Sequence, residues 1–557
     1  MEDNNFQPEP KNSEERKTES QVAQNAQVSQ NPQASPDKNQ NSVVIPQTYN
    51  SYTRYVPRSQ TPEYIAFKAR VTSRKALFIT VLSILFSILF TEAILFGSAG
   101  ISVPILAIAF ESLLFYSFRE REKPLKKASI YITIPILLLS SSYFIHYNPS
   151  TQFITWLTII GLFCIQIILL ANIQVSDIFS FDMLSKSIVN LVGKPFSNFV
   201  IPLNSFKILK ENKSKSFTNF IYVFIGLTVS IPIAAILMSL FMSADAVFDN
   251  AMKKVIEFIG LDFKIAFWDI ILGCIFGLLL AAMLLGLKYS EIKQTPAAKI
   301  GDNIESLIIG TFLTIINVFI ITFVAFQFVY LFGGTVNITA SDMTYAEYAR
   351  RGFFELSTAS GIIFAIALFV LIMTKKKAGK LPLWIKLTTV CLCLCNGVLL
   401  ISAMKRMLLY VDIYGLSVKR FLTIWFMIII GLCLLWIILK CFIKKIYVMK
   451  WIGVTVIISV CILSLLNTER IIANYNVTRY LSSPKENSID VNYLGQLSYT
   501  AVPEIVRLKD FDKGNKENFD LKTILEDQKY KLKHRHKIYG FTLDRIEASR
   551  ILHKEFK

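Results

Sequence analysis

Charged side chains recur at a regular spacing in residues 344–356, which read Thr-Tyr-Ala-Glu-Tyr-Ala-Arg-Arg-Gly-Phe-Phe-Glu-Leu between two long apolar segments. In a helix, Glu347, Arg351 and Glu355 follow each other at intervals of four residues, so the three charges share one face. Arg350 adds a second guanidinium, and guanidinium groups bind carboxylates and phosphates through paired hydrogen bonds. The stretch is therefore consistent with a binding site for an anionic or zwitterionic group. The alternative is a structural ladder of ion pairs at a membrane boundary.

Asp245 belongs to a second polar stretch, residues 243–249, on the same predicted side of the membrane. Ser243 is predicted to cap a helix that starts there, which places Asp245 in the first turn near the positive end of the helix dipole. That role requires no ligand. If Asp245 instead pairs with Arg350 or Arg351, the two stretches form one candidate cluster. The sequence leaves both interpretations open.

Glu111 is the acidic residue that lies deepest within an apolar segment, residues 102–118. Its distance from either end of that segment is roughly 10–14 Å at 1.5 Å per residue. Because a charge in hydrocarbon costs a few kcal/mol or more, carboxylates at this depth often serve a function. Glu111 is therefore a candidate intramembrane proton or ligand site, as in proton-coupled transport. The alternative is a carboxyl group held neutral or hydrogen-bonded to a neighbouring Ser, Tyr or Asn.

The sequence contains no catalytic signature such as a Walker A loop, a paired His-Glu zincin motif or Gly-x-Ser-x-Gly. Cys391, Cys393 and Cys395 alternate within an apolar helix and do not share one face, which favours packing over metal binding. His534 and His536 lie among basic residues that disfavour a divalent cation. We therefore expect no metal or other cofactor, and an envelope enzyme acting on lipid-linked substrates is the weakest hypothesis.

The apolar segments that carry these residues define the class of protein. The chain has 557 residues, of which 53% are hydrophobic, and a mean hydropathy of +0.47. About 20 apolar residues cross a bilayer as a helix, and the sequence predicts an all-α, polytopic transmembrane helix bundle of about eleven spans. The predicted spans are 76–96, 102–118, 129–145, 152–172, 219–242, 265–287, 306–332, 353–374, 382–404, 421–439 and 446–466.

Basic residues are concentrated in one set of loops, such as 119–127 and 375–380, and this set is predicted to be cytoplasmic. This bias accounts for the net charge of +19, so nucleic-acid binding is not expected. An odd number of spans then places the N-terminus in the cytoplasm and the C-terminus outside it.

The predicted spans divide the chain into five regions. Within the cytoplasmic loop, Ile178, Phe181, Leu184, Ile188, Leu191 and Val192 recur at helical spacing, which predicts an amphipathic helix on the inner leaflet. In the outer tail, residues 521–537 and 543–556 are predicted helices. The regions are a disordered cytoplasmic tail (1–65), four spans (66–172), the amphipathic loop (173–218), seven spans (219–466) and an extracytoplasmic tail (467–557).

Four stretches together resemble a family of bacterial integral membrane proteins described only as a domain of unknown function, number forty-one seventy-three, with relatives under number forty-one fifty-three. They are residues 242–248, 344–356, 467–480 and 489–503, and the resemblance spans roughly residues 230 to 510. It implies a multi-pass protein in the plasma membrane of a bacterium. It implies no activity, substrate or site residue.

Two hypotheses follow from the placement of these residues. In the first, Asp245, Glu347, Arg350, Arg351 and Glu355, together with Glu111, serve a transporter-like protein that binds or moves a small or lipid-linked ligand. In the second, the bundle is a membrane sensor or an envelope assembly scaffold without transport or catalysis. The lipid bilayer is the expected partner in both, and a membrane or envelope protein is a further partner in the second.

Overall fold

The structure, a computed structural model, contains helices and no named strand among the residues that it describes, so the predicted all-α helix bundle is confirmed. Glu347, Arg350, Arg351 and most of the predicted disordered tail lie outside those residues. The described residues are 62–95, 99–119, 127–208, 230, 237–238, 240–258, 263–289, 304–332, 353–375, 381–443, 445–485, 487–515, 521–534 and 540–556.

The first group of helices covers the four predicted spans and the loop that follows them. Three of these helices are long and apolar enough to cross a membrane, whereas the helix at Ser102–Phe118 is apolar but has 17 residues. Its length is about 25 Å, less than the roughly 30 Å of a bilayer core. The group comprises α1 (Pro62–Val71), α2 (Arg74–Phe90), α3 (Ser102–Phe118), α4 (Lys127–Ile145), α5 (Pro149–Leu170), α6 (Phe181–Ser187), α7 (Lys194–Ser197) and α8 (Val200–Ser205).

The second group contains six further helices of membrane-spanning length and composition, α10 to α15. Nine of the eleven predicted spans are therefore confirmed as long apolar helices, α3 is the shorter tenth, and predicted span 219–242 lies mostly outside the described residues. The group comprises α9 (Ala246–Phe258), α10 (Phe263–Tyr289), α11 (Ser306–Phe332), α12 (Phe353–Met373), α13 (Leu383–Tyr414), α14 (Val418–Phe442) and α15 (Val448–Leu465).

The C-terminal tail folds into a small helical domain. Both helices predicted there are present, and they share a core in which Leu508, Leu525 and Ala548 are buried. The domain comprises α16 (Thr468–Ser482), α17 (Val491–Gln496), α18 (Val502–Asn515), α19 (Leu521–His534) and α20 (Leu543–Glu555).

The first spans and the later spans pack together. A Cβ atom built on Gly273 of α10 would lie 2.6 Å from the Cα atom of Ile88 in α2, and one built on Gly277 would lie 2.5 Å from that of Ile84. The two helices therefore touch backbone to backbone. In a second contact, the hydroxyl oxygens of Thr155 in α5 and Ser464 in α15 lie 2.7 Å apart. The helices upstream of residue 219 are thus not a separate unit.

The C-terminal domain contacts several ends of the transmembrane helices. The backbone N–H of Ile101, beside the start of α3, donates to the Phe541 carbonyl at 3.0 Å. Asn148, at the start of α5, donates to the Thr468 hydroxyl at 3.1 Å. Asn476 both accepts from and donates to the backbone of Leu416, between α13 and α14. These ends therefore lie on one side of the bundle, called the domain side below, as the predicted alternation of spans requires.

Candidate functional site

Glu111 lies in a polar site formed by α3, α4 and α5. Its side chain is 4% exposed. One carboxyl oxygen, Oε2, accepts from Gln166 Nε2 at 2.8 Å and from Thr133 Oγ1 at 3.2 Å. The prediction that Glu111 lies within an apolar helix is confirmed, and its partners are a Gln and a Thr rather than the expected Ser, Tyr or Asn.

Gln166 connects the three helices. Its amide nitrogen also lies 3.0 Å from Thr133 Oγ1 and 3.2 Å from the carbonyl oxygen of Ser129. Ser129 and Thr133 are four residues apart and therefore face the same way on α4. The sequence shows that each of these three apolar helices contains polar residues. Which of those residues contact each other depends on how the helices pack.

Two buried oxygen atoms of this site, Oε1 of Glu111 and Oε1 of Gln166, have no hydrogen-bond partner among the residues that the structure describes. A buried acceptor without a donor costs about 1–3 kcal/mol. A proton on Glu111 Oε1 changes that atom from an acceptor to a donor, so the two atoms become complementary in type. The arrangement is thus chemically suited to take up a proton or a cationic group.

The site lies nearer to the helix ends that face away from the domain side. Glu111 is seven residues from the end of α3, Thr133 is six from the start of α4, and Gln166 is four from the end of α5. These separations correspond to about 6–11 Å along the helices. Toward the domain side, the same helices contribute to an apolar cluster that includes Val103, Ala107, Ile136, Leu139, Ile159 and Leu162.

The second candidate cluster was predicted on the outer side, and the structure describes two of its members, Asp245 and Glu355. Asp245 is exposed, and its Oδ1 accepts from the N–H groups of Val247 and Phe248 at 2.7 and 3.2 Å. It is thus the cap of α9, and the prediction that Ser243 provides this cap is wrong, since Ser243 Oγ donates to the Leu240 carbonyl at 2.8 Å. Glu355 is exposed in the first turn of α12.

A polar interface joins the C-terminal domain to the spans. Glu469 is 3% exposed, and its two carboxyl oxygens accept from Ser150 Oγ at 2.5 Å and from the Ser498 N–H at 2.6 Å. Asp544 Oδ2 lies 2.9 Å from His146 Nδ1 and accepts from Asn467 Nδ2 at 3.0 Å. These residues come from distant parts of the chain, and sequence analysis did not single them out.

Two arginines satisfy the carbonyl groups at the C-terminal end of α13. Arg420 donates to the carbonyls of Tyr414 and Gly415, and its guanidinium lies 4.3 Å from the centre of the Tyr410 ring. Arg479 of the C-terminal domain donates to the two carbonyls that precede Tyr414. Positive charge at this position complements the helix dipole and replaces the missing intrahelical partners.

Tyr493 extends this contact to the start of α14, since its hydroxyl accepts from the Val418 N–H at 2.9 Å. Burial raises the pKa of the Tyr493 phenol, so the group is neutral at physiological pH. Side chains from two helices of the C-terminal domain, α16 and α17, thus bind the backbone of the loop between α13 and α14 and of the start of α14.

Among the described residues, no three His, Cys, Asp or Glu side chains are grouped as a metal site.

Comparison with known proteins identifies a family. Residues 133–508 match the family model described as a domain of unknown function (DUF4153). The number forty-one seventy-three given by the resemblance is wrong, and forty-one fifty-three, given there as that of the relatives, is the one that matches. The match begins within α4, so it includes Thr133 and Gln166 but not Glu111. No curated protein and no solved structure matches the chain.

Proposed function

The chain belongs to the DUF4153 family, and we propose that it is a transporter-like integral membrane protein that moves a small or lipid-linked ligand in exchange for, or together with, protons. The observation that carries this proposal is the buried Glu111 carboxyl group. One of its oxygens accepts from Gln166 and Thr133, and the other has no partner within the described part of the chain. Carboxylates inside membrane helices are typical of proton relays in pumps and transporters.

Protonation of Glu111 changes the balance of hydrogen bonds between three helices. The ionised carboxylate accepts from α4 and α5 at Oε2 and requires donors at Oε1. The protonated form is neutral and requires an acceptor there instead. Because the two forms require different partners, α3, α4 and α5 have different preferred arrangements in each form. Such a difference is what couples proton uptake to a conformational change.

Potential-driven proton uptake by proteoliposomes tests this role of Glu111. The purified protein is reconstituted in bacterial lipid with a pH-sensitive dye inside the vesicles. A small-molecule extract of bacterial cells is present on both sides of the membrane to supply the coupled ligand, and a potassium diffusion potential is imposed. We expect the wild-type vesicles to take up protons faster than protein-free vesicles. The Glu111→Gln substitution keeps the size of the side chain and removes its titration, so we expect uptake at the protein-free rate.

Glu305→Gln is the matched control, because this exposed carboxyl lies at the start of α11 and pairs with Lys375 outside the polar site. We expect this variant to retain the wild-type rate. Equal proton uptake by wild-type and Glu111→Gln vesicles, or a wild-type rate no higher than that of protein-free vesicles, contradicts the proposal.

The proposed orientation has the N-terminus in the cytoplasm of a bacterium and the C-terminal domain outside the plasma membrane. Single cysteines at Lys485 and Lys445, in a background without native cysteines, test it with a thiol reagent that does not cross membranes. Both residues are exposed, and Lys485 belongs to the C-terminal domain. On intact cells we expect labelling at position 485 and none at 445 until the cells are opened. The reverse pattern inverts the orientation.

A sensor or scaffold function is the second candidate, and the polar interface of the C-terminal domain favours it. The domain contacts the ends of α3 and α5 and the loop between α13 and α14, so a ligand on the domain would act on both helix groups. This function predicts no proton uptake in the vesicle experiment. It predicts instead that a cytoplasmic partner is captured by the full chain and lost when residues 1–60 are deleted.

A further inference from the structure

An apolar stripe runs along the segment that follows α5, residues 181–200, and faces away from the rest of the protein. Its members are large apolar side chains that are 54–69% exposed. They occur at intervals of three or four residues through α6, the π-helical turn Ile188–Gly193, α7 and the start of α8. They are Phe181, Leu184, Ile188, Val192, Phe196 and Val200.

The π-helical turn keeps this stripe on one face. In an α-helix, a step of four residues overshoots a full turn by roughly 40°, so repeated steps of four would carry the side chains around the helix. A π-helical turn contains more residues than an α-helical turn, and the steps of four within Ile188–Gly193 therefore fall short of a full turn. The two deviations oppose each other, so the exposed side chains from Leu184 to Phe196 stay on one side of the helical segment.

The opposite face of the segment buries charged side chains beside an apolar one, Met183. Asp182 and Lys186 are 3% and 9% exposed, and their charged atoms lie 3.2 Å apart. Lys186 also donates to the Gln174 carbonyl at 2.5 Å, and Asp182 accepts from the Ser176 N–H at 2.9 Å. A surface helix in water has the reverse arrangement, with charges outside and apolar side chains inside. The environment of the exposed stripe is therefore apolar.

Contacts with α2 and α10 locate the segment relative to the bilayer. A Cβ atom on Gly286, three residues before the end of α10, would lie 2.5 Å from the Asn198 side chain. The hydroxyl oxygen of Ser205 in α8 lies 3.1 Å from that of Thr80, which is six residues after the start of α2. The segment thus lies across the ends of two spans, on the side away from the C-terminal domain, within about 10 Å of those ends.

The surface of α2 beside this contact is also apolar and exposed. Phe78 and Val81 flank Thr80 and are 48% and 47% exposed, as expected for the lipid-facing side of a span. The stripe of residues 181–200 continues this lipid-facing surface at the level where spans leave the bilayer. Phospholipid acyl chains near the headgroups occupy that level.

We propose that residues 181–200 form an interfacial segment whose apolar stripe is embedded in the acyl chains of the leaflet that faces away from the C-terminal domain. The buried ion pair on the other face fixes α6 to residues 174–176, and the contacts of Asn198 and Ser205 hold the following helices against α10 and α2. The segment thereby fixes these two spans relative to the lipid surface. This inference does not depend on the proposed transport activity or on the proposed orientation.

Spin-label accessibility of the full-length protein in liposomes tests the proposal. Nitroxides are placed singly at Leu184, Ile188, Val192 and Phe196, where the exposed side chains tolerate a label, in vesicles of phosphatidylethanolamine and phosphatidylglycerol. Lys485 is the water-exposed reference. We expect all four labels on the stripe to collide readily with oxygen, which concentrates in lipid, and poorly with a water-soluble nickel chelate.

Two results would overturn the proposal. Collision with the nickel chelate as frequent as at Lys485 means that the stripe faces water. Low accessibility to both oxygen and nickel means that protein, such as a second copy of the chain, covers it. Exposed Phe78 on α2 is the lipid-facing reference, so the expected oxygen accessibility is defined within the same protein.

Discussion

Replacing Gly277 with Ala is expected to destabilise the protein, whereas the same replacement at Gly161 is not. A Cβ atom at Gly277 would lie 2.5 Å from the Cα atom of Ile84, so α2 and α10 must move apart to accept it. At Gly161 of α5, no atom of the described residues outside the adjoining helix backbone lies within 4 Å of that position. Overpacking of this kind costs about 1–3 kcal/mol, whereas the gain in helix propensity, at most about 1 kcal/mol, is common to both sites.

Thermal unfolding in detergent, followed by size-exclusion chromatography of heated samples, measures this difference. We expect Gly277→Ala to lower the midpoint by several degrees and Gly161→Ala to leave it unchanged or raise it. Gly277→Val adds a branched side chain and should lower it further. If both Ala variants unfold at the wild-type temperature, the close contact between α2 and α10 does not contribute to stability.

The transmembrane helices could be predicted because the signal for them is local. A run of about 20 apolar residues identifies a span whatever it packs against, and α11 begins at the predicted residue, Ser306. Of the five helices of the C-terminal domain, only α19 and α20 were predicted, since the domain has no comparable apolar runs. The start of α9 was placed at Ser243 rather than Asp245, because both side chains are good caps and only the backbone shows which of them accepts from the following N–H groups.

The contacts of the candidate site could not be predicted, because they join residues distant in the chain. Glu111 was singled out from its depth in an apolar segment, but Thr133 and Gln166 became its partners only when α3, α4 and α5 packed together. The amphipathic spacing after α5 was visible in the sequence. The π-helical turn that keeps its apolar side chains on one face was not, since that turn has no distinct sequence pattern.

Replacing Glu469 with Gln is expected to loosen the C-terminal domain from the transmembrane helices. The substitution keeps the size of the side chain, but its NH₂ group replaces an acceptor oxygen opposite one of two donors, Ser150 Oγ and the Ser498 N–H. One charge-assisted hydrogen bond is then lost and a donor remains buried without a partner. A loss of this kind costs about 1.5–3 kcal/mol, because Glu469 itself is almost completely buried.

Hydrogen exchange of residues 497–501 is the measurement that reports on this interface. We expect faster exchange there in Glu469→Gln than in the wild type, with exchange in α11 and α12 unchanged. Glu547→Gln is the matched control, since its ion pair with Arg470, at 2.9 Å, is partly exposed on both sides and such pairs contribute at most about 1 kcal/mol. If the two variants exchange alike, Glu469 does not hold the domain. If Glu469→Gln alone loosens it, one buried carboxylate couples the C-terminal domain to the start of α5, the helix that also carries Gln166.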